Sequence, residues 1–135
     1  MNVFDIFQHD ENYQSIMKRL FETSLEESFN AIMITEAGLG YPIIYVNPAF
    51  SQLTGYAPTE VIGKTPAILQ GPETDPDVLS RLKQDLAQGN LFHGRAVNYR
   101  KDGSKFMMEW KIAPIRNDQG KISHFLAIQR EVGGE

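Results

Sequence analysis

Residues 91–132 read LFHGRAVNYRKDGSKFMMEWKIAPIRNDQGKISHFLAIQREV, which is three extended segments separated by two short polar turns. The turn sequences, Lys-Asp-Gly-Ser and Asn-Asp-Gln-Gly, have the composition of tight hairpin turns. In the last segment, alternation places Phe125, Ala127 and Gln129 on one face of a strand. This stretch therefore predicts three antiparallel strands joined by hairpins.

Two further strands precede this sheet in the chain. Residues 31–36 (AIMITE) and 43–47 (IIYVN) are short and rich in β-branched side chains, and the Gly-Leu-Gly-Tyr-Pro between them predicts a turn. Short helices follow, and two of them begin with a capping side chain and then a proline, at Asn47 and Asp75. Because strands lie at both ends with helices between them, we predict an α+β fold in which helices cover one face of an antiparallel sheet.

The N-terminal segment carries apolar side chains at helical spacing. We predict one helix over residues 10–30, with Asp10 as its N-cap. Its apolar positions are Tyr13, Ile16, Met17, Leu20 and Phe21. Two interpretations stay open: this stripe packs against the rest of its own chain, or it contacts a partner helix in a dimer.

Composition narrows the class of protein. The chain has 135 residues, 41% of them hydrophobic, which suits one globular domain. Its net charge of -4 argues against nucleic-acid and anionic-membrane binding, and no apolar run approaches the ~20 residues that cross a bilayer. The absence of cysteine excludes disulfides, zinc–thiolate sites and thiol catalysis.

The sequence also shows no clear candidate for a metal site or a catalytic site. The three histidines have no identifiable partner ligands, and no nucleophile motif is present, so we expect neither a metal site nor enzyme activity. The first residues carry acids and no early lysine, which does not fit a signal peptide. We therefore expect a cytoplasmic protein.

Five stretches in fixed order resemble the PAS family, and within it the light-oxygen-voltage (LOV) flavin-binding domains. They are YVNPAFSQLTGY, EVIGKTPAILQGPETD, VNYRKDGSKF, APIRNDQGKISHF and AIQREV, and LQGPETD favours the LOV branch. The resemblance implies a PAS fold, with a five-stranded antiparallel sheet, short helices on one face, an N-terminal helix and a bound FMN or FAD. It also implies a division into an N-terminal helical cap (1–30), a sensory domain (31–132) and the start of a linker (133–135).

The resemblance assigns cofactor contacts residue by residue. The family's flavin segment reads Gly-x-Asn-Cys-Arg-Phe-Leu-Gln, and residues 63–70 here read Gly-Lys-Thr-Pro-Ala-Ile-Leu-Gln. Asn98 and Gln129 match amides that bind the flavin ring in the family, and Lys83 aligns with a phosphate-binding arginine. The expected cofactor-binding residues are Thr65, Ile68, Gln70, Lys83, Asn98, Met108, Phe125 and Gln129.

Four positions depart from the family pattern. Thr65 replaces the asparagine, Pro66 the reactive cysteine and Ala67 a phosphate-binding arginine, while Met108 replaces a second ring-binding asparagine. With no cysteine anywhere, the family's cysteinyl photoadduct cannot form, although a bound flavin could still change its redox state. The apolar side chains expected to line the ligand pocket are Ile32, Ile34, Val46, Leu53, Ile62, Ile68, Leu82, Phe92, Phe106, Phe125 and Ala127.

The sequence leaves three functions open. The first is a sensory module that binds a flavin or similar planar ligand and signals through Gln129 and the last strand to an output domain, such as a histidine kinase or a diguanylate cyclase. The second is a ligand-free PAS interaction domain that dimerises through the N-terminal helix or the outer sheet face, in which Thr65 and Pro66 simply start a helix. The third is an engineered flavin-based fluorescent protein, which the missing cysteine also fits.

Overall fold

Five strands form one antiparallel sheet in the computed structural model, which describes residues 2–133. The strands are β1 (Ala31–Glu36), β2 (Ile43–Val46), β3 (Phe92–Tyr99), β4 (Lys105–Arg116) and β5 (Ile122–Val132). Their order across the sheet is β2-β1-β5-β4-β3, so the last strand of the chain lies at the centre. The α+β class and the five-stranded antiparallel sheet are confirmed.

Short helices connect β2 to β3 and cover the inner face of the sheet. They are α3 (Pro48–Thr54), α4 (Pro58–Val61), a 3₁₀ helix (Pro66–Leu69) and α5 (Pro76–Gln88). Each begins with a proline, whose missing N–H costs nothing in the first turn of a helix. The side chains of Asn47, Thr65 and Asp75 accept hydrogen bonds from backbone N–H groups of the helices they cap, as predicted. Gly89 ends α5 with a φ of 71°, which glycine adopts without a Cβ clash.

Strand β5 alternates between a buried inner face and an exposed outer face. Phe125, Ala127 and Gln129 are buried, while Ile128 and Arg130 between and beyond them are exposed. Buried side chains of the sheet and of the helices that cover it form two core clusters. The first contains Ala31, Met33, Ile43, Val46, Phe50, Val61, Leu69 and Ala127, and the second contains Phe92, Ala96, Phe106, Met108 and Trp110. The predicted alternation of β5 is confirmed.

The loop after the 3₁₀ helix packs tightly on β3. A Cβ added to Gly71 would lie 2.3–2.8 Å from ring atoms of Tyr99, so only glycine fits there. The Tyr99 hydroxyl accepts a hydrogen bond from the Glu73 backbone N–H, and Thr74 Oγ1 donates to the Val97 carbonyl at 2.7 Å. The Gly-Pro-Glu-Thr segment therefore anchors the loop to the sheet.

The predicted N-terminal helix is present but shorter than residues 10–30, and a short helix that was not predicted precedes it. The two helices are α1 (Val3–Phe7) and α2 (Tyr13–Glu26). Asp10 is not an N-cap: it lies in the turn between them, where its carboxylate accepts from the Asn12 N–H at 2.7 Å and so competes with a continuous helix. No side chain of α2 is fully buried, but Tyr13, Ile16, Met17 and Leu25 are half-buried, so both interpretations of its apolar stripe stay open.

The buried side-chain amide of Asn47 connects the N-terminal segment to the core. Asn47 is fully buried, and its Oδ1 accepts hydrogen bonds from the N–H groups of Ile32 (2.8 Å) and Phe50 (3.1 Å). Its Nδ2 donates to the carbonyls of Leu25 (2.8 Å) and Asn30 (3.1 Å). The sequence indicated only the capping role of this side chain; its contact with the end of α2 was missed.

Helices in the described range 2–133 lack the length and apolar character that crossing a membrane requires.

Candidate functional site: a cavity over the central strand

A cavity of about 280 Å³ lies between the inner face of the sheet, the 3₁₀ helix and α5. This volume is close to the ~300 Å³ lower bound of typical small-molecule pockets. Its lining is predominantly apolar with a few polar groups, which is the usual make-up of a ligand site. The lining residues are Met33, Thr35, Tyr41, Thr65, Pro66, Ala67, Gln70, Leu79, Leu82, Lys83, Leu86, Ile112, Phe125, Ala127 and Gln129.

The floor of the cavity follows from the register of the three middle strands. Ala127 on β5 pairs with Met33 on β1 and with Ile112 on β4, so a methyl group sits between two larger side chains. Directly paired residues share a face of the sheet, so these three form one row. The small side chain of Ala127 leaves unfilled space above the sheet at this point.

Gln129 lies one inward-facing position further along β5. It is 3% exposed, and its Oε1 has no hydrogen-bond partner among the described residues. Its paired neighbours are Ala31 and Trp110, and neither donates to that oxygen. A buried polar atom without a hydrogen-bond partner costs about 1–3 kcal/mol of folding stability. Such an atom beside a cavity indicates that a bound ligand would supply the hydrogen bond.

Polar side chains also line the mouth of the cavity. Thr65, Gln70 and Lys83 are exposed there, and Lys83 is the one charged side chain in the lining formed by the described residues. Thr65 Oγ1 is already used in capping the 3₁₀ helix, accepting from the Ala67 N–H at 3.4 Å. The lining therefore combines a buried amide with a single exposed cation.

Tyr41 lines the cavity from the β1–β2 turn. Its φ of 50° is in the left-handed region, which non-glycine residues seldom adopt. Its ring meets that of Phe125 edge-on, with 5.6 Å between centroids. The turn was predicted from the sequence, but the contribution of Tyr41 to the cavity was not.

The cavity brings together five of the eight expected cofactor-binding residues: Thr65, Gln70, Lys83, Phe125 and Gln129. Ile68 is half-buried and packs against the first core cluster instead. Asn98 and Met108 are both buried outside the lining, where Asn98 Nδ2 lies 3.6 Å from Met108 Sδ. A thioether is a weak acceptor, so Asn98 has only a weak partner there.

Eight of the eleven apolar residues expected in the pocket lie outside its lining, and only Leu82, Phe125 and Ala127 line it. Val46, Phe92 and Phe106 are buried in the two core clusters instead, and Leu53 and Ile68 pack against those clusters. The other three are Ile32, Ile34 and Ile62. Ile32 and Ile34 pair with Ile128 and Leu126, which belong to the outer face of β5, so the expectation for both was wrong. Ile62 is 45% exposed, and that expectation was wrong too. The inward residues of β1 are Met33 and Thr35; because AIMI is uniformly apolar, the sequence carried no signal for its phase.

The outer face of the sheet carries an ion-pair cluster that the sequence did not reveal. Glu109 on β4 contacts His93 (Nε2 to Oε2, 2.9 Å), Arg95 (Nε to Oε2, 3.3 Å) and Arg130 (Nε to Oε1, 2.8 Å). The hydrogen bond from His93 contributes most, and that from Arg130 second, to lowering the pKa of Glu109 to about 2. The cluster links β3, β4 and β5 on the side opposite the cavity.

Within residues 2–133, no group of three or more His, Asp and Glu side chains is positioned to hold an ion.

Comparison with known proteins places this geometry in a family. A family model described as "PAS domain" matches residues 30–133. A solved light-oxygen-voltage domain, studied with a flavin analogue, superposes with a TM-score of 0.77 and 34% identity, covering 89% of this chain and 86% of that chain.

Two curated relatives contain a similar region. Phototropin-2 from Oryza sativa subsp. japonica is 43% identical over 91 residues, which are 67% of this chain and 10% of that protein. The nitrogen fixation regulatory protein of Klebsiella oxytoca is 34% identical over 113 residues, which are 84% of this chain and 22% of that protein. The chain therefore spans less than a quarter of either relative.

Proposed function

The chain belongs to the PAS family, in its light-oxygen-voltage branch, and from this premise we propose that it is a sensory module that binds FMN or FAD in the inner cavity without a cysteinyl adduct. The observation that carries the proposal is the buried, unpartnered Oε1 of Gln129 beside an apolar cavity. The donor set fits a flavin, because a planar heterocycle with polar edges matches apolar walls and a side-chain amide that can donate or accept.

The walls and the amide would hold the ring. Ala127, Met33 and Ile112 form the apolar floor, and Gln129 supplies the hydrogen-bonding end. A bound flavin supplies a ring whose protonation and redox state respond to light or to reductants. Pro66 lines the cavity where the family has its cysteine, so the protein contributes no sulfur nucleophile.

Signalling would begin at the amide of Gln129. This side chain can exchange donor for acceptor by rotating, so it responds to a proton gained or lost at the ring edge. On the adjacent strand Trp110 pairs with Gln129, and Glu109 pairs with Arg130. Gln129 on the inner face and Arg130 in the outer-face ion-pair cluster are neighbours along β5. A change in the position of Gln129 would therefore also move the ion-pair cluster.

The output would lie beyond β5. Near its end, Glu131 Oε1 accepts from Arg100 Nη2 at 2.6 Å, and Arg100 Nε donates to the Leu53 carbonyl at 3.1 Å, which connects the strand to α3. In the family this strand leads to an output domain, and we propose such a partner here, for instance a histidine kinase or a diguanylate cyclase. The domain itself would have no enzyme activity and would work in the cytoplasm.

We also propose a homodimer through α2 or the outer sheet face. In α2, Leu20 is 41% exposed and Phe21 is 59% exposed, which leaves part of the apolar stripe uncovered. A second copy of the same helix would cover it, since amphipathic helices commonly pair through such stripes. Size-exclusion chromatography with light scattering would show a monomer if this is incorrect.

A double variant tests the cavity assignment. Pro66→Cys with Ala67→Arg places a thiol and a cation at two lining positions, and the flavin-loaded variant should bleach under blue light and recover in the dark. Pro66→Ala with Ala67→Arg is the matched control without sulfur and should not bleach. A double variant that holds flavin yet shows no bleaching would mean that the ring does not lie beside position 66.

A ligand-free interaction domain is the second candidate, favoured by the exposed apolar stripe of α2 and by the modest cavity volume. It predicts a colourless protein that dimerises and takes up neither FMN nor FAD when these are added. Gln129→Leu separates the two functions, because it should shift the spectrum of a bound flavin but leave dimerisation unchanged.

A further inference from the structure

We propose that this cavity selects its flavin by the ring and not by the phosphate, so that riboflavin binds within a few-fold of FMN. This inference rests on the proposed flavin function and adds the chemical group that determines specificity. Its starting point is the charge distribution of the lining, which contains one cation, Lys83, and no arginine.

Lys83 is poorly suited to hold a phosphate firmly. It is exposed on α5, and an exposed ion pair contributes little because water and salt screen it. Its ammonium is a point charge, whereas the planar guanidinium of arginine grips two phosphate oxygens at once. The phosphate of FMN carries about 1.5 to 2 negative charges at neutral pH, as phosphate monoesters do, and meets one such group here.

The 3₁₀ helix at the cavity mouth does not supply a backbone cradle for an anion. Pro66 has no N–H, and the N–H of Ala67 donates to Thr65 Oγ1. The N–H groups of Ile68 and Gln70 donate to the carbonyls of Thr65 (3.2 Å) and Ala67 (3.0 Å). These donors are therefore occupied within the segment itself.

Arg81 on α5 is already hydrogen-bonded to strand β3. Arg81 Nη1 donates to the His93 carbonyl at 2.7 Å, and its guanidinium lies 5.0 Å from the centroid of the Phe92 ring. It does not line the cavity. Phosphate recognition would consequently depend on Lys83 alone.

The buried part of the lining has the features that give strong discrimination. Gln129 is buried with an unpaired Oε1, and a buried mismatch is penalised far more than an exposed one. The floor row of Met33, Ala127 and Ile112 is apolar. Affinity would thus be concentrated on the ring, which riboflavin and FMN share.

The test compares the two flavins on the same flavin-stripped protein. Riboflavin and FMN are titrated separately, and quenching of flavin fluorescence gives each Kd. We expect FMN to bind about two- to fivefold more tightly at low salt, the range for one exposed ion pair. At 1 M NaCl the two values should converge, because screening removes the phosphate contact.

Two variants locate the contact. Lys83→Met should make the two flavins equal already at low salt, while Lys64→Met, at an exposed lysine outside the lining, should leave the parent ratio unchanged. Ala67→Arg should raise the FMN preference by roughly tenfold or more, as a charged hydrogen bond would, and Ala67→Gln should not.

The outcomes separate this inference from the function on which it rests. If the parent chain binds both flavins but prefers FMN by about tenfold or more, a strong phosphate site exists and the inference is overturned, while the flavin function stands. If it binds neither flavin, the proposed function itself fails. Equal affinities for riboflavin and FMN, or affinities that differ by a few-fold, support the inference. Because both are measured on the parent protein, the test does not depend on whether a variant folds.

Discussion

Replacing Gln129 with methionine should change stability and ligand binding in opposite directions. Gln129 is 3% exposed, and its Oε1 has no partner among the described residues. Methionine has nearly the same length and volume but no strong acceptor, so the Gln129→Met protein loses the cost of an unpaired buried oxygen. We expect the ligand-free variant to be more stable by about 1–2 kcal/mol.

The assay is urea and thermal unfolding of the ligand-free protein, followed by flavin titration. For a domain of this size, about 1 kcal/mol corresponds to roughly 4 °C in Tm, so the predicted gain is easily resolved. Flavin affinity should fall by about tenfold, because one hydrogen bond to the ring is lost. Gln52→Met, at an exposed position on α3, is the control and should change stability by less than about 0.5 kcal/mol.

Two results would refute this reasoning. If the ligand-free Gln129→Met protein is less stable than the parent by about 1 kcal/mol or more, the amide makes hydrogen bonds in the absence of ligand. If stability rises but flavin affinity is unchanged, the amide does not touch the ring, and the assignment of the cavity as a flavin site through Gln129 is wrong.

Three further substitutions test the scaffold. Gly71→Ala should destabilise the fold by about 1–3 kcal/mol, because the added Cβ would overlap the Tyr99 ring, whereas Gly38→Ala meets no atom within 4 Å and should be nearly neutral by chemical denaturation. Asn47→Ala removes four hydrogen bonds, two of them buried, and should cost about 3 kcal/mol, with faster amide exchange at the end of α2; unchanged exchange there would mean that the bonds to that end are not formed in solution. Glu109→Gln should lower stability at pH 7: the folded pKa of about 2 lies below the ordinary 4.5, so the carboxylate stabilises the fold above pH 4.5 and this contribution is lost as pH falls towards 2. Between pH 4.5 and 2 the Glu109→Gln protein should therefore lose less of its free energy of unfolding than the parent protein. Identical pH profiles of stability would argue against the ion-pair cluster.

Most of the fold could be predicted because its signals are local. Prolines after capping residues mark the helix starts, glycines mark the turns, and strict alternation fixes the faces of β5. The N-terminal helix was predicted too long, and the five-residue helix α1 before the break was missed because it is too short to show a periodic apolar pattern. The break depends on one side chain, Asp10, bonding to the backbone two residues ahead.

The candidate site was only partly predictable because it depends on pairing between distant strands. Alternation placed Gln129 and Phe125 on the inner face, but the phase of β1 is set by its register with β5, which the apolar run does not encode. The ion-pair cluster likewise requires His93, Glu109 and Arg130 to meet from three strands. A resemblance can align single positions with a family, but it cannot show that Asn98 lies against Met108 and outside the cavity.

The most direct test of the flavin account is the absorption spectrum of the purified chain, with mass analysis of whatever is released on denaturation. The account predicts flavin bands in the blue that do not convert to an adduct spectrum under illumination, and a released mass equal to riboflavin, FMN or FAD. A colourless protein that also leaves the fluorescence of added riboflavin and FMN unquenched would contradict it.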